Sequence, residues 1–279
     1  MGIKAIVMDI DGTLNVYKKG ILPKTKEVLQ KAQEQGIKLI LASGRPTTGM
    51  IDFGKELALD KNGGLLISYN GSKAVEMETM KEIYNVPLSI EDSKAVLEHV
   101  KKFDVHPMVD KDEYMYVNDV FDCMLSLREK KVNIVQMESR NGKYMVCEKA
   151  DLAEFVDFPL NKILIAGEPA YLQANYKAMM EPFKDTLNCM FTASVYFEFT
   201  AKNIDKAKAL DTVLTPLGIL PDEVISFGDG QNDISLIQYA GIGVAMGNAV
   251  EELKAVADKV TLSNEEDGIA ECLLEVLDL

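Results

Sequence analysis

Short runs of aliphatic residues, each followed by a helix-length stretch, recur at both ends of the chain and constrain its fold more than any other feature. IKAIVM (3–8), IKLILAS (37–43), LLISY (65–69), VISF (224–227) and GIGVAM (241–246) carry apolar residues without clean alternation. Such runs suit strands buried on both faces. A helix is expected from Lys24 to Gln35, with Pro23 before it and Gly36 closing it. A second should start at Pro46 and end near Leu59. Further helices are expected over 205–217, 232–239, 249–257 and 268–276, with a short strand KVTL (259–262). Strand–helix repeats with continuous apolar strands predict an α/β fold: a parallel, Rossmann-like three-layer core with right-handed crossovers.

The middle of the chain follows another pattern. HPMVDKDEYMYV (106–117) suggests two strands joined by a polar turn. KYMVCE (143–148), NKILIAG (161–167) and LNCMFTA (187–193) are further strands, with helices near 89–102 and 169–183. This mixture predicts an inserted α+β cap domain with an antiparallel sheet. The expected division is a discontinuous core, 1–83 with 190–279, around an insert of 84–189. No repeat, low-complexity segment or long Gly/Ser linker separates the parts.

Composition narrows the functional classes. The chain has 279 residues, with 44 acidic and 30 basic side chains and a formal net charge of −14. A general nucleic-acid binder or an anionic-membrane binder needs a basic surface, so neither partner is expected. The four cysteines (Cys123, Cys147, Cys189, Cys272) are far apart and form no CxxC pair, which suits free thiols in a reducing compartment. The opening MGIKAIVMDIDGT has no signal-peptide pattern, and Ile6 stands where a myristoylation motif needs Ser or Thr. No apolar stretch approaches the roughly 20 residues of a membrane helix. These features predict a soluble, cytoplasmic protein; they leave its oligomeric state open.

The chemistry should lie beyond the carboxyl ends of the strands, where open α/β sheets place their ligands. Asp9-Ile10-Asp11-Gly12-Thr13 ends the first strand. Two carboxylates two residues apart repel and invite a cation or a shared proton; an Asx-capped turn is the simpler alternative. Gly228-Asp229-Gly230-Gln231-Asn232-Asp233 follows another buried strand and offers oxygen ligands for a hard divalent cation, or an ordinary helix cap. Leu41-Ala42-Ser43-Gly44-Arg45-Pro46 sets a hydroxyl and backbone amides at a strand end. That is either an anion site or a plain helix start. Lys202, Lys206 and Lys208 cluster near a helix start, where one lysine can reach a phosphate; solvated lysines are the alternative.

In this order and context, the four segments resemble the haloacid-dehalogenase-like phosphohydrolases, and within them the Cof-type subgroup, whose cap is inserted after the third core strand. Tyr69-Asn70-Gly71, Val244-Ala245-Met246-Gly247-Asn248-Ala249 and Asn264-Glu265-Glu266-Asp267-Gly268 share the subgroup's habits, so the likeness covers nearly the whole chain. The resemblance implies a magnesium-dependent phosphatase acting on a small phosphorylated metabolite through an aspartyl-phosphate. Asp9 would be the nucleophile and Asp11 the acid and then the base. Ser43 would hold a phosphoryl oxygen with the backbone of Ile10 and Gly44. Lys206 would neutralise the phosphoryl group, although the family often has Lys-Gly where this chain has Lys-Ala, leaving Lys202 and Lys208 as rivals. Asp229 would bind magnesium with Asp9 and the Asp11 backbone carbonyl. Asn232 would contact phosphate, and Asp233 would brace the metal through water.

Two rival readings share part of this chemistry. A phosphomutase would pass the phosphoryl group to another hydroxyl. A phospho-Asp receiver module would hold it as a signal, but receivers usually lack a second carboxylate two residues on and have no large insert. The insert is expected to select the leaving group. Arg45 faces the crevice by position, for substrate contact or a structural ion pair. His99 reads as a surface or boundary residue and His106 as a strand start; together they make no zinc site. The fourteen methionines read as core filling, and Arg128-Glu129-Lys130-Lys131 as a solvated face.

Overall fold

The computed structural model describes residues 2–127 and 130–277. The chain divides into two compact units, one from the N-terminus to Asn85 together with the chain from Asp205 onward, the other Val86–Ile204.

The first unit is built on an eight-stranded sheet. From edge to edge the strands are Lys259–Val260, Ile242–Ala245, Val224–Gly228, Ala5–Met8, Lys38–Ala42, Leu65–Ser68, Lys73–Glu76 and Glu82–Asn85. The first six are parallel, as their double-sided apolar pattern requires. The last two turn antiparallel, an extension the sequence reading missed. KAVE and EIYN are short and carry charge, which marks a solvated edge more than a buried strand.

The pleat sorts the strand residues into two cores. Ile6 and Met8 pack with Val28, Leu29, Ala32, Ile269 and Leu273 from the helices Pro23–Glu34 and Gly268–Val276. Ala5 and Val7 face the other way, toward Ala209, Leu210, Val213 and Leu236 of the helices Lys206–Leu214 and Ile234–Tyr239. Helices on both faces of the sheet give the expected three layers.

Several helices are shorter than their patterns suggested. The stretch after Pro46 is a 3-10 turn, Thr47–Met50, followed by the helix Ile51–Glu56, with Gly54 inside it. The helix that starts at Lys206 ends at Leu214, and Pro216, which has no N–H to donate, falls in the 3-10 turn Thr215–Leu217. Asn232 lies in the turn Gln231–Asp233 ahead of its helix. The expected 249–257 helix contracts to Glu251–Lys254, and KVTL to the two-residue strand Lys259–Val260.

The second unit carries a six-stranded sheet in the order Met145–Glu148, Tyr114–Val117, His106–Lys111, Ile163–Ala166, Tyr196–Ala201, Leu187–Ala193. It is mixed, where an antiparallel sheet was expected: Met145–Glu148 pairs parallel with Tyr114–Val117. The helices Ile90–Val100 and Pro169–Met180 cover one face with Val96, Leu97, Leu172 and Met179. The helix Ile134–Gly142 and the hairpin Met124–Leu127 with Lys130–Asn133 pack against the other; the sequence reading foresaw neither.

The strand Tyr196–Ala201 corrects the expected return to the core at residue 190. It lies between Ile163–Ala166 and Leu187–Ala193, and its Phe197 and Phe199 are buried in the insert's own core. The division therefore falls between Ile204 and Asp205. His99 is half-buried, with Nε2 3.2 Å from the Ala178 carbonyl, and His106 starts its strand. Arg128 and Glu129 of the charged run lie outside the described residues, while Lys131 is exposed and pairs with Glu168 at 3.2 Å. Buried methionines such as Met8, Met50, Met108 and Met179 fill the cores. Among the described residues, no helix is long and apolar enough to cross a membrane.

Candidate active site

The first unit's chain starts at Ala5–Met8, builds outward to Lys38–Ala42 and Leu65–Ser68, then returns on the opposite side through Val224–Gly228. The order reverses at the first strand, which leaves a crevice at its carboxyl end. Three motif segments leave three adjacent strands there: Asp9 from the central one, Ser43 from Lys38–Ala42 and Asp229 from Val224–Gly228. The Asp9 amide still donates to the Phe227 carbonyl at 3.0 Å, so its backbone remains fixed to the sheet.

Pleat parity selects what Asp9 meets. It follows Ala5 and Val7 on the face covered by the helix Lys206–Leu214. Asp205 caps that helix, accepting from the Lys208 amide at 2.9 Å, so Lys206 occupies its first turn. The fully buried Lys206 Nζ donates to Asp9 Oδ1 and to Asp233 Oδ1, each at 2.6 Å. Asp233 Oδ2 in turn accepts from the amides of Asp229 at 3.0 Å and Gly230 at 2.9 Å. Asp229 Oδ1 accepts from Thr13 Oγ1 at 2.8 Å.

Asp9, Asp229 and Asp233 each place a carboxylate oxygen within 4.8 Å of the others. Burial pushes the Asp9 carboxyl up to about 8 against the pull of Lys206, with Asp233 and Asp229 adding to the rise. Burial likewise pushes Asp229 up to about 6, against the Thr13 hydrogen bond. Burial opposes the Lys206 charge, but Asp233 and Asp9 outweigh it and hold the ammonium above the usual lysine range. Three carboxylates against one ammonium leave an excess of negative charge, which fits a divalent cation with hard oxygen ligands.

Asp11 stands apart from this cluster. Its exposed carboxylate is gripped by Arg45, with Nε to Oδ2 and Nη2 to Oδ1 both at 2.6 Å. The cation cluster therefore does not draw on the Asp11 side chain. Ser43 is buried, and its Oγ accepts from the Arg45 amide at 3.2 Å. Ile10 is fully buried, and the exposed Asn232 donates to Asn70 Oδ1 at 3.0 Å. A side chain on Gly44 would meet that same Asn70 amide at 3.1 Å.

Of the three candidate lysines, Lys206 is the one placed against Asp9. Lys202 belongs to the second unit and donates to the Lys184 carbonyl at 3.1 Å, and Lys208 is exposed. Thr13 and Asn70 are site residues to which the sequence reading gave no role. Thr13 was inside the quoted motif, and a hydroxyl two residues after Asp11 was the available signal. Asn70 gave less warning: it sits at φ +55 between Tyr69 at φ +51 and Gly71 at φ +96. Through this left-handed turn the Tyr69 and Asn70 amides donate to the carbonyls of Arg45 and Ser43, at 2.9 and 3.0 Å.

Comparison with known proteins agrees with this geometry. A profile described as haloacid dehalogenase-like hydrolase matches residues 6–273. The pyridoxal phosphate phosphatase YbhA of Escherichia coli is 30% identical, with 97% of each chain covered. The crystal structure of a haloacid dehalogenase-like hydrolase from Bacteroides thetaiotaomicron superposes with a TM-score of 0.90 at 34% identity, covering 99% of this chain and 100% of that one. The subclass IIB sugar phosphatase BT4131 superposes with a TM-score of 0.77 at 27% identity, covering 98% of both. With its carboxylates and buried lysine gathered at the switch point of the sheet, the chain is an enzyme that belongs to the haloacid dehalogenase-like hydrolases.

Proposed function

We propose that this enzyme is a magnesium-dependent phosphatase that hydrolyses small phosphorylated metabolites, sugar phosphates or similar, through an aspartyl-phosphate. The observation that carries the reading is the buried Lys206 ammonium bridging Asp9 and Asp233 beside Asp229. An anionic carboxylate must approach an anionic phosphate; the Lys206 ammonium, together with a magnesium ion held by the surplus carboxylates, would offset that repulsion.

Asp9 attacks phosphorus, forming an acyl phosphate as the bond to the leaving oxygen breaks. Asp11 gives its proton to that oxygen, because an alkoxide leaves poorly without one. Water then attacks the phosphorus, Asp11 takes its proton, and Asp9 departs as a free carboxylate with inorganic phosphate. The covalent step divides one difficult displacement into two. Lys206 neutralises the phosphoryl group, while Ser43 Oγ, the backbone of Ile10 and Gly44, and Asn232 hold its oxygens. Asp9, Asp229 and Asp233, with the Asp11 carbonyl, would hold magnesium, which supplies Lewis-acid charge to the phosphoryl oxygens when bound.

The Cof-type placement is part of the proposal. It is supported by an α+β insert that leaves the core after the strands following Ser68, and by likeness to a subclass IIB sugar phosphatase. A reducing cytoplasm is the compartment we propose, in keeping with four free thiols. Phosphate release from a panel of phosphorylated metabolites, with and without magnesium, tests the function. Wild type should release phosphate only with the metal, and Asp9→Asn should be inactive yet folded. Full turnover by Asp9→Asn, purified free of contaminating phosphatase, would refute the covalent step. Isomer formation in place of phosphate release would indicate a mutase, and a phospho-enzyme stable for minutes without product would indicate a signalling module.

A further inference from the structure

We infer that Arg45 is the positioning residue of Asp11 as the base of the second step: its guanidinium sets the plane of the Asp11 carboxylate and keeps it outside the Asp9–Asp229–Asp233 cluster, so that Asp11 is aimed at the attacking water. The inference rests on the proposed role of Asp11 in proton transfer.

The two partners are unequally fixed. The Asp11 side chain is 54% exposed, that of Arg45 only 21%. Arg45 is held at several points. Its amide donates to Ser43 Oγ at 3.2 Å and its carbonyl accepts from the Tyr69 amide at 2.9 Å. Its Nη1 lies 3.4 Å from the Gly49 carbonyl, and its Cζ lies 5.2 Å from the centre of the Phe53 ring. A half-exposed carboxylate on a loop otherwise samples several rotamers. Two parallel N–H···O contacts from a planar fork select one of them, which a single ammonium cannot do.

Location gives this fixing a purpose. Gly12, directly after Asp11, has φ +84 and lies so close to Asp229 that an added Cβ would sit 2.2 Å from Asp229 Oδ2. The Asp11 loop thus runs against the cation cluster. A fourth carboxylate turned into that cluster would add repulsion and remove the proton-transfer group from the reaction path. Arg45 holds it to the side. A misplacement of about 1 Å in such a group costs on the order of a hundredfold in rate.

The experiment compares wild type, Arg45→Met and Arg45→Lys on glucose 6-phosphate and p-nitrophenyl phosphate, with magnesium present. The nitrophenolate leaves without a proton, so only the second step on that substrate needs Asp11. Arg45→Met should release the first equivalent of nitrophenol at the wild-type rate, followed by steady turnover slowed about tenfold to a hundredfold. On glucose 6-phosphate kcat should fall by at least as much with KM changed less than about threefold. Arg45→Lys should resemble Arg45→Met, because it keeps the charge and loses the fork; it also serves if Arg45→Met fails to fold. Unchanged turnover in both variants would overturn the inference. So would a rise in KM at constant kcat, which marks direct substrate binding, or a first-equivalent rate that falls with the steady rate, which marks a damaged site. If wild type releases phosphate from neither these substrates nor the metabolite panel, the proposed function fails. Wild-type turnover with indifferent Arg45 variants removes the positioning role alone.

Discussion

The carboxylates of this site differ because their surroundings differ, and pH should reveal it. Asp9 and Asp229 titrate near 8 and 6 in the fold, well above an unfolded aspartate. The sign follows from linkage: the unfolded chain releases these protons first, so the stability they contribute is fully present below about pH 4 and is lost as pH rises through 6 and 8. Metal-free protein should therefore lose thermal stability between pH 5 and 8.5, and Asp9→Asn should flatten that fall. The proposed magnesium ion would compete with the same protons, so its affinity should rise across this window. Calorimetric titration at pH 5.5, 7 and 8.5 measures it; an affinity independent of pH would contradict the raised carboxylates. At this scale the motifs Asp9–Thr13 and Gly228–Asp233 were legible because each packs its chemistry into a few consecutive positions. Asn70 was not, since only the left-handed turn at Tyr69–Gly71 carries it against Gly44 and Asn232.

Among the elements, the helix Lys206–Leu214 has most influence on the chemistry, because its first residue is the buried lysine. Its start is fixed twice. Asp205 caps it, and a Cβ on Gly71 would sit 2.2 Å from the Asp205 carbonyl, so the Tyr69–Gly71 turn packs directly on the cap. Asp205→Ala should cost about 1 kcal/mol in urea unfolding. It should also lower kcat more than that loss of stability alone explains, by loosening Lys206. An unchanged kcat in folded Asp205→Ala would show that Lys206 is held by its carboxylates alone. The stretch after Pro46 was misread as one helix because helical periodicity continued across residues that fold as a 3-10 turn. A short, charged edge strand such as Glu82–Asn85 buries too little on either face to leave a clear pattern.

For the whole molecule, the division into two units places every carboxylate and lysine of the site in the discontinuous first unit. Binding of the proposed magnesium ion would then be linked to the unfolding of that unit. At a magnesium concentration one hundred times Kd, stabilisation should reach about 2.7 kcal/mol. Differential scanning calorimetry with and without the ion measures it, and Asp229→Asn should remove most of the shift. A shift of equal size in Asp229→Asn would place the ion elsewhere. The second unit buries an ion pair of its own, Lys162 with Glu198 at 3.0 Å. Together with Phe197 and Phe199, that pair keeps the strand Tyr196–Ala201 in the insert.

By itself the sequence determined the α/β class, the buried first strand, the two acidic motifs and the existence of an insert. All of these depend on local residue order: a buried strand needs an unbroken apolar run, and a motif needs its neighbours. Tertiary structure alone decided which lysine meets Asp9, that Asp11 turns to Arg45 and away from the other carboxylates, and that the chain returns to the core at Asp205. Those outcomes depend on pleat parity, helix placement and strand pairing between residues distant in the chain, whose geometry exists only once the sheets are assembled.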